Sequence, residues 1–213
     1  MDLAREPDPF CQTFQFGKAH KCSHKCDVGH TAREHHCLGD GVSSDSMEAG
    51  CLGRPMTTGG LPTSKHFKYC SFWVDHFSRF IYVTFYDSKK AEELARSKLE
   101  FEDFASRFQV RLKSIPADNG VYRACSFQDA CQRNQQRLTF CAVGTHWQNG
   151  IAERFIGSIT QQARTILLHA MARWLQVVFE DMWPFAIPHN VTLHNCSVHK
   201  DKPSSPFELF TGQ

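Results

Sequence analysis

"TFCAVGTHWQNGIAERFIGSITQQARTILLHA", residues 139–170, decides how the rest of the chain is read. It opens as a strand-like run, turns through a polar bend containing glycine, and continues as a long helical pattern. Ala152, Ile156, Ile159, Ala163, Ile166, Leu167 and Ala170 recur at helical spacing, which predicts a face packed on a sheet. Glu153 stands beside that stripe, on the face shared with Gly157 and Thr160. A carboxylate at the lip of a bend either favours the helix dipole or takes part in chemistry.

Working outward, "GVSSDSMEA" (41–49) is short and mildly alternating, and "GRPMTTGGLPTSK" (53–65) reads as a long loop. "HFKYCSFWVDHFSRFIYVTFY" (66–86) holds two runs dense in aromatic and β-branched residues, parted by "DHFSR", which predicts a hairpin. With Asp87 or Ser88 as N-cap, residues 89–108 place Leu94, Phe101, Phe104 and Phe108 on one helical face. "VRLKSIPADNG" (110–120) is a strand ending at a turn, "SFQDACQRNQQ" (126–136) a short helix and "RLTFCAV" (137–143) another strand. The expected order is therefore β, β, β, α, β, α, β, α. Past Arg173, "WLQVVFEDMWPFAI" (174–187) predicts a further helix stopped at Pro184 or Pro188. "KDKPSSPFELFTG" (200–212) reads as a Pro/Ser loop with a short amphipathic end.

At 213 residues, 41% hydrophobic and 12% aromatic, the chain has ample material for the core of one ordinary domain plus appendages. Lys and Arg number 24 against 22 acidic residues, a net charge of +2, so bulk charge neither demands nor excludes a polyanionic partner. The early cluster "GKAHKCSHKC" (17–26) is either solvated surface or a phosphate contact. No run approaches the ~18 apolar residues of a membrane span, and "MDLAREPDPFCQ" has no signal-peptide core. The expectation is a soluble, intracellular protein with no membrane partner. Ten cysteines are scattered from Cys11 to Cys196 without framework spacing, so most are expected to be reduced, with Cys70 and Cys141 as small core residues.

Three acidic residues occupy comparable places: Asp45 within the first strand, Asp118 at a strand end before Asn119 and Gly120, and Glu153 near a helix start. In a sheet with aligned strand ends, such positions can converge, and converging carboxylates invite a hard divalent metal. Two ions ~3.5–4 Å apart would clamp the attacking and leaving oxygens of an in-line phosphoryl transfer. The plainer reading makes Asp118 a turn former and Glu153 a dipole partner.

At these residues the chain resembles the integrases of retroelements, especially copia-type elements. "PADNG" around Asp118, followed after 34 intervening residues by "HWQNGIAERF" around Glu153, looks like the second half of their DDE triad. "CQTFQFGKA" resembles the end of the family's zinc-binding module, "DSMEA" its first-aspartate strand and "WVDHFSRFIYV" its second and third strands. "MWPFAI" and "SPFELFTG" resemble the region after the core, so the similarity spans about residues 11–212.

The resemblance implies an α/β, ribonuclease H-like fold, a mixed five-stranded sheet flanked by helices. It divides the chain into a degenerate zinc-module remnant (1–38), a catalytic core (39–172) and a post-core helix and tail (173–213). Asp45, Asp118 and Glu153 would bind two Mg²⁺ ions, with Mn²⁺ as a substitute. Water would first attack the element's DNA end, and the freed 3′-hydroxyl would then attack target DNA. Asn119, Asn149 and Arg154 match family positions near DNA, Asn149 with Gly150 at a loop-to-helix junction. Arg154 is equally a solvated helix charge. Asp75 also matches a family position but reads as a hairpin-closing residue. Homo-oligomers, DNA partners and a nuclear site of action are further expectations of the resemblance.

Departures from the pattern matter too. Cys11 matches the first cysteine of the family's Cys-x-x-Cys pair, but Phe14 stands at the second, and no upstream His pair exists. A tetrahedral zinc site needs four ligands, so zinc is not expected there. Cys22, Cys26, His30 and Cys37 match no common finger spacing and read as loop residues. Phe155 and Gly157 replace basic residues usual on this helix, which weakens the expected DNA contact. Three functions follow: an integrase core, a catalytically silent nucleic-acid-binding remnant of that fold, or a ribonuclease H-like nuclease acting on hybrids, against which the "NGIAER" context argues.

Overall fold

A computed structural model describes residues 37–55, 65–117, 121–140, 150–200 and 202–213. Its centre is β2 (Phe67–Asp75), flanked by β1 (Val42–Gly53) and β3 (Ile81–Tyr86) in antiparallel pairing. Asp45 faces Phe72 across the first ladder and Val74 faces Ile81 across the second. A bulge between Glu48 and Gly53 breaks the β1 register near its end. Period-two alternation on β2 sends Trp73 to one side and Phe72 and Val74 to the other, and all three are fully buried, as a central strand covered on both faces requires.

β4 (Ser114–Ala117) and β5 (Arg137–Phe140) form a parallel pair, Ser114 opposite Arg137 and Ala117 opposite Phe140. β4 lies against β1, and the Lys113 N–H donates to the Gly39 carbonyl at 2.8 Å. The expected single five-stranded sheet is thus a three-stranded antiparallel ladder beside a two-stranded parallel one. β4 has only four residues, and Pro116 has no N–H to offer a neighbour, so few rungs are available. Gly39, at φ 74°, lets the two segments meet: a Cβ there would lie 2.2 Å from the Arg111 carbonyl oxygen.

One face of the sheets carries α1 (Ala91–Ser106) and α2 (Cys125–Arg133), the latter preceded by a 3-10 turn at Val121–Arg123. Leu94, Phe101 and Ala105 of α1 and Phe127 and Cys131 of α2 bury against Val42, Trp73, Ile115 and Ala117. The α1 start differs from expectation. Neither Asp87 nor Ser88 caps it; Lys90 holds the N-cap position without a side-chain hydrogen bond, and Glu92 and Glu93 supply first-turn negative charge instead. Phe108 lies past the helix end, yet its ring still meets that of Phe104 at 5.2 Å.

The other face carries α3 (Gly150–Arg173) and α4 (Trp183–Cys196). Ala152, Ile159 and Ala163 of α3 are buried, and Ile156 and Leu167 are half-buried against the same cluster. Ile166 and Ala170, expected to continue the stripe, instead border an open concavity with His169, Arg173 and Trp174. The helix expected over 174–187 is displaced to Trp183–Cys196: Pro184 begins it, because a first-turn proline forfeits no helical hydrogen bond, and Pro188 is accommodated inside it. A short α5 (Pro206–Thr211) is closed by a capping box between Ser205 and Glu208 and by Gly212 in the left-handed region. The expected amphipathic end is therefore a helix that delivers Phe210 into the core beside Phe80, with ring centroids 4.4 Å apart.

Residues 1–36, on which most of the expected zinc-module remnant falls, lie outside the described residues, as do Asp118, Asn119, Cys141 and Asn149.

Candidate active site

Asp45 is the fourth residue of β1 and is half-buried. Its pairing with Phe72 puts it on the sheet face covered by α3 and α4, and its Oδ1 accepts from the Ser46 N–H at 2.7 Å. The opposite face of the same stretch is braced by hydroxyls. Ser44 Oγ meets Tyr122 Oη at 2.9 Å, and the Tyr86 hydroxyl donates to Ser46 Oγ at 2.7 Å and lies 2.9 Å from Ser71 Oγ. Burial pushes both tyrosines up, Tyr122 most strongly, and the nearby Asp45 charge acts in the same direction. Those hydroxyls remain neutral and hold the strand still beneath the carboxylate.

Glu153 occupies the first turn of α3 and is exposed. Its orientation follows from its neighbours: Ala152 is fully buried, Ile151 and Phe155 are half-buried against the sheet, and Glu153 and Arg154 take the remaining arc toward solvent. The helix start also favours a negative side chain there. Asp118, the third expected carboxylate, directly follows the buried Ala117 at the end of β4 but lies outside the described residues, as do Asn119 and Asn149. Among the described residues no three His, Cys, Asp or Glu side chains gather as a metal would require.

Asp75 has different work. It is fully buried and accepts from the Gly39 N–H at 2.9 Å and from both the N–H and the hydroxyl of Ser78 at 2.8 Å. A carboxylate so occupied closes the β2–β3 turn and ties it to the segment entering β1, as a turn former should.

Sequence reading missed the surroundings of Arg154. His194, near the end of α4, donates from Nε2 to the Arg79 carbonyl at 3.0 Å, since a carbonyl can only accept. Its ring meets Phe155 edge-on at 5.1 Å and lies 4.5 Å from His199. Burial pulls the His194 imidazole below its usual range, so it is neutral at physiological pH. No spacing rule links residues 79, 155 and 194; only the packing of α4 on the edge of β3 brings them together.

No protein-family model matches the chain. Solved structures do resemble it. One is a chain of the simian T-cell lymphotropic virus intasome in complex with PP2A regulatory subunit B56 gamma, at TM-score 0.63 and 19% identity, covering 89% of this chain. This chain spans only 60% of that one. The HTLV-2 integrase catalytic core domain in complex with magnesium, in a trimeric form, aligns at TM-score 0.58 and 15% identity over 83% of this chain and 99% of its own. The catalytic core domain of BIV integrase aligns at 0.55 and 12% identity, over 81% and 93%. At such identities the shared property is architecture: this chain has the α/β, ribonuclease H-like fold of retroviral integrase catalytic cores.

Proposed function

We propose that this chain is the catalytic core of a copia-type retroelement integrase, which processes the 3′ ends of element DNA and transfers them into target DNA. The observation that carries the reading is positional. Asp45 sits on β1 under α3, Glu153 begins α3, and Asp118 follows the last residue of the neighbouring strand β4, within a fold shared with integrase cores.

The donor chemistry fits a hard divalent cation. Carboxylate oxygens are the ligands Mg²⁺ prefers, and Asp45 presents a half-buried carboxylate whose Oδ1 accepts from the Ser46 N–H. Asp45, Asp118 and Glu153 would hold it, and the HTLV-2 core of like fold is described with magnesium. When bound, the metal supplies positive charge against the charge that develops on the reacting phosphate. The protein's own part is placement. The Ser44–Tyr122 and Ser46–Tyr86 hydroxyl pairs fix the β1 backbone, the buried side of α3 fixes Glu153, and Arg154, Asn119 and Asn149 contact the DNA backbone around them. A homo-oligomer acting in the nucleus completes the reading, since two DNA ends must be held together; neighbours of this fold are described in trimeric and dimeric forms.

The test is strand transfer with a labelled duplex serving as both donor and target, in Mg²⁺ or Mn²⁺. Joined products that vanish in Asp118→Asn and Glu153→Gln support the assignment. Products that persist unchanged in both variants overturn the mechanism, and salt-sensitive DNA binding with no cleavage or joining favours a silent remnant of the fold.

A further inference from the structure

Three elements meet at the turn between β2 and β3. Asp75 fixes that turn from inside through Ser78, and Ser78 Oγ also accepts from the Phe80 N–H at 3.1 Å. Between them Arg79 is forced to φ 66°, a region glycine enters without steric conflict and an arginine does not. From outside, the His194 imidazole holds the Arg79 carbonyl. Clamped on both sides, Arg79 presents its side chain from a fixed backbone.

His194 leads from Arg79 to the start of α3, because its ring packs on Phe155, the residue after Arg154. Among the described residues neither arginine has a salt-bridge partner, although Arg79 is half-buried. Burial, and after it the charge of Arg154, pull Arg79 below the usual arginine range, and the opposing pull of Asp75 is weaker. The Asp75 carboxylate is committed to Gly39 and Ser78 inside the turn, so the two guanidinium groups repel, and the group that relieves both is an anion that two planar forks can share.

We propose that Arg79 and Arg154 form a two-arginine seat for one phosphodiester of a bound nucleic-acid strand, with Arg79 pre-positioned by the Asp75 turn and by His194. The nucleic-acid source rests on the DNA-joining reading above; the anion site itself rests on the local geometry. The seat adjoins Glu153 along α3, so a strand held there passes the carboxylates rather than the far side of the sheet.

The experiment measures binding of the full chain to a short fluorescein-labelled duplex by anisotropy, in EDTA and across a salt series, so no metal or turnover is needed. Arg79→Gly suits the left-handed turn and Arg154→Gln suits the helix; Arg79→Lys retains the charge without the fork. Arg79→Gly and Arg154→Gln should each weaken binding about tenfold at low salt and flatten the salt slope by roughly 0.9. Arg79→Lys should fall between Arg79→Gly and the parent, and the double variant should lose less than the two single losses combined, because one phosphate is shared. Unchanged affinity and slope in a folded Arg79→Gly overturns the seat. A thermal shift with inorganic phosphate that needs Arg79, accompanied by no change in DNA affinity, overturns the nucleic-acid assignment. Arg79-dependent DNA binding in a chain that joins no DNA upholds the seat while removing the enzyme reading.

Discussion

The Asn195 side chain accepts from the Ile81 N–H at 2.9 Å and donates to the Ile81 carbonyl at 2.8 Å, so one amide at a helix end pairs with both backbone groups of β3. It does for that edge what one residue of a further strand would do, and it anchors α4 to the sheet. Asn195→Ala should cost about 2–3 kcal/mol, because both Ile81 groups are left buried without partners. Asn195→Asp should rescue little, since a carboxylate can accept from the N–H but cannot donate to the carbonyl. Urea unfolding of the parent and both variants checks the ranking.

Glu153 and Asp45 should separate activity from stability. Glu153 is exposed, and its removal disturbs no packed surface, so Glu153→Gln should leave the urea midpoint within about 0.5 kcal/mol of the parent. In the same protein, strand transfer should drop by at least about a hundredfold, as expected when charge placement at the phosphate is lost. Asp45→Asn should behave likewise, because an amide oxygen still accepts from the Ser46 N–H. A parallel loss of stability and joining in both variants would make their role structural.

Lys98 is fully buried on α1 and paired with Glu102 one turn on, at 2.7 Å. Glu102 also accepts from Asn134, at 2.9 Å, and from Gln136, tying α1 to the segment after α2. Removing one member of a buried pair costs far more than replacing both members by apolar groups of similar volume. Glu102→Ala should therefore destabilise by about 3–5 kcal/mol, and the double variant Lys98→Met/Glu102→Leu by much less. Thermal melts of the two variants should show that order, and equal losses would contradict it.

The cysteines give a prediction in pH. Burial pushes the Cys131 thiol up to about 11, and burial raises Cys70 well above the ordinary value of 9.0. Maleimide at pH 8, read by peptide mapping, should label the exposed Cys125 and Cys196 and leave Cys70 and Cys131 unmodified until urea is added. The unfolded chain ionises these thiols first. Their contribution to stability is therefore complete below pH 9 and is lost as pH rises toward about 11, so unfolding midpoints should fall over that interval.

How legible this architecture was depends on where its signals are local. The β2–β3 hairpin showed itself because Trp73, Phe72 and Tyr82 belong to dense aromatic and β-branched runs, and α3 showed itself through its spaced apolar residues. The start of α4 was misplaced because Pro184 and Pro188 were read as stops, whereas a proline in the first turn is a start. The strand status of Asp45 and the first-turn position of Glu153 were readable from pattern, but a pattern holds no distances and leaves the spacing of the carboxylates unstated. Arg79 and His194 were invisible for a related reason: a positive φ and a contact across 115 residues are properties of the folded chain.

Phe210 also constrains how the protein comes into being. Its ring fills a space walled by Phe80, Phe101 and Phe104, residues that leave the ribosome more than a hundred positions earlier. Until α5 is synthesised, that wall faces water, and the nascent chain is sticky and exposed to chaperones and proteases. Closure of the hydrophobic interior thus waits on the synthesis of α5, far downstream of the wall that it covers.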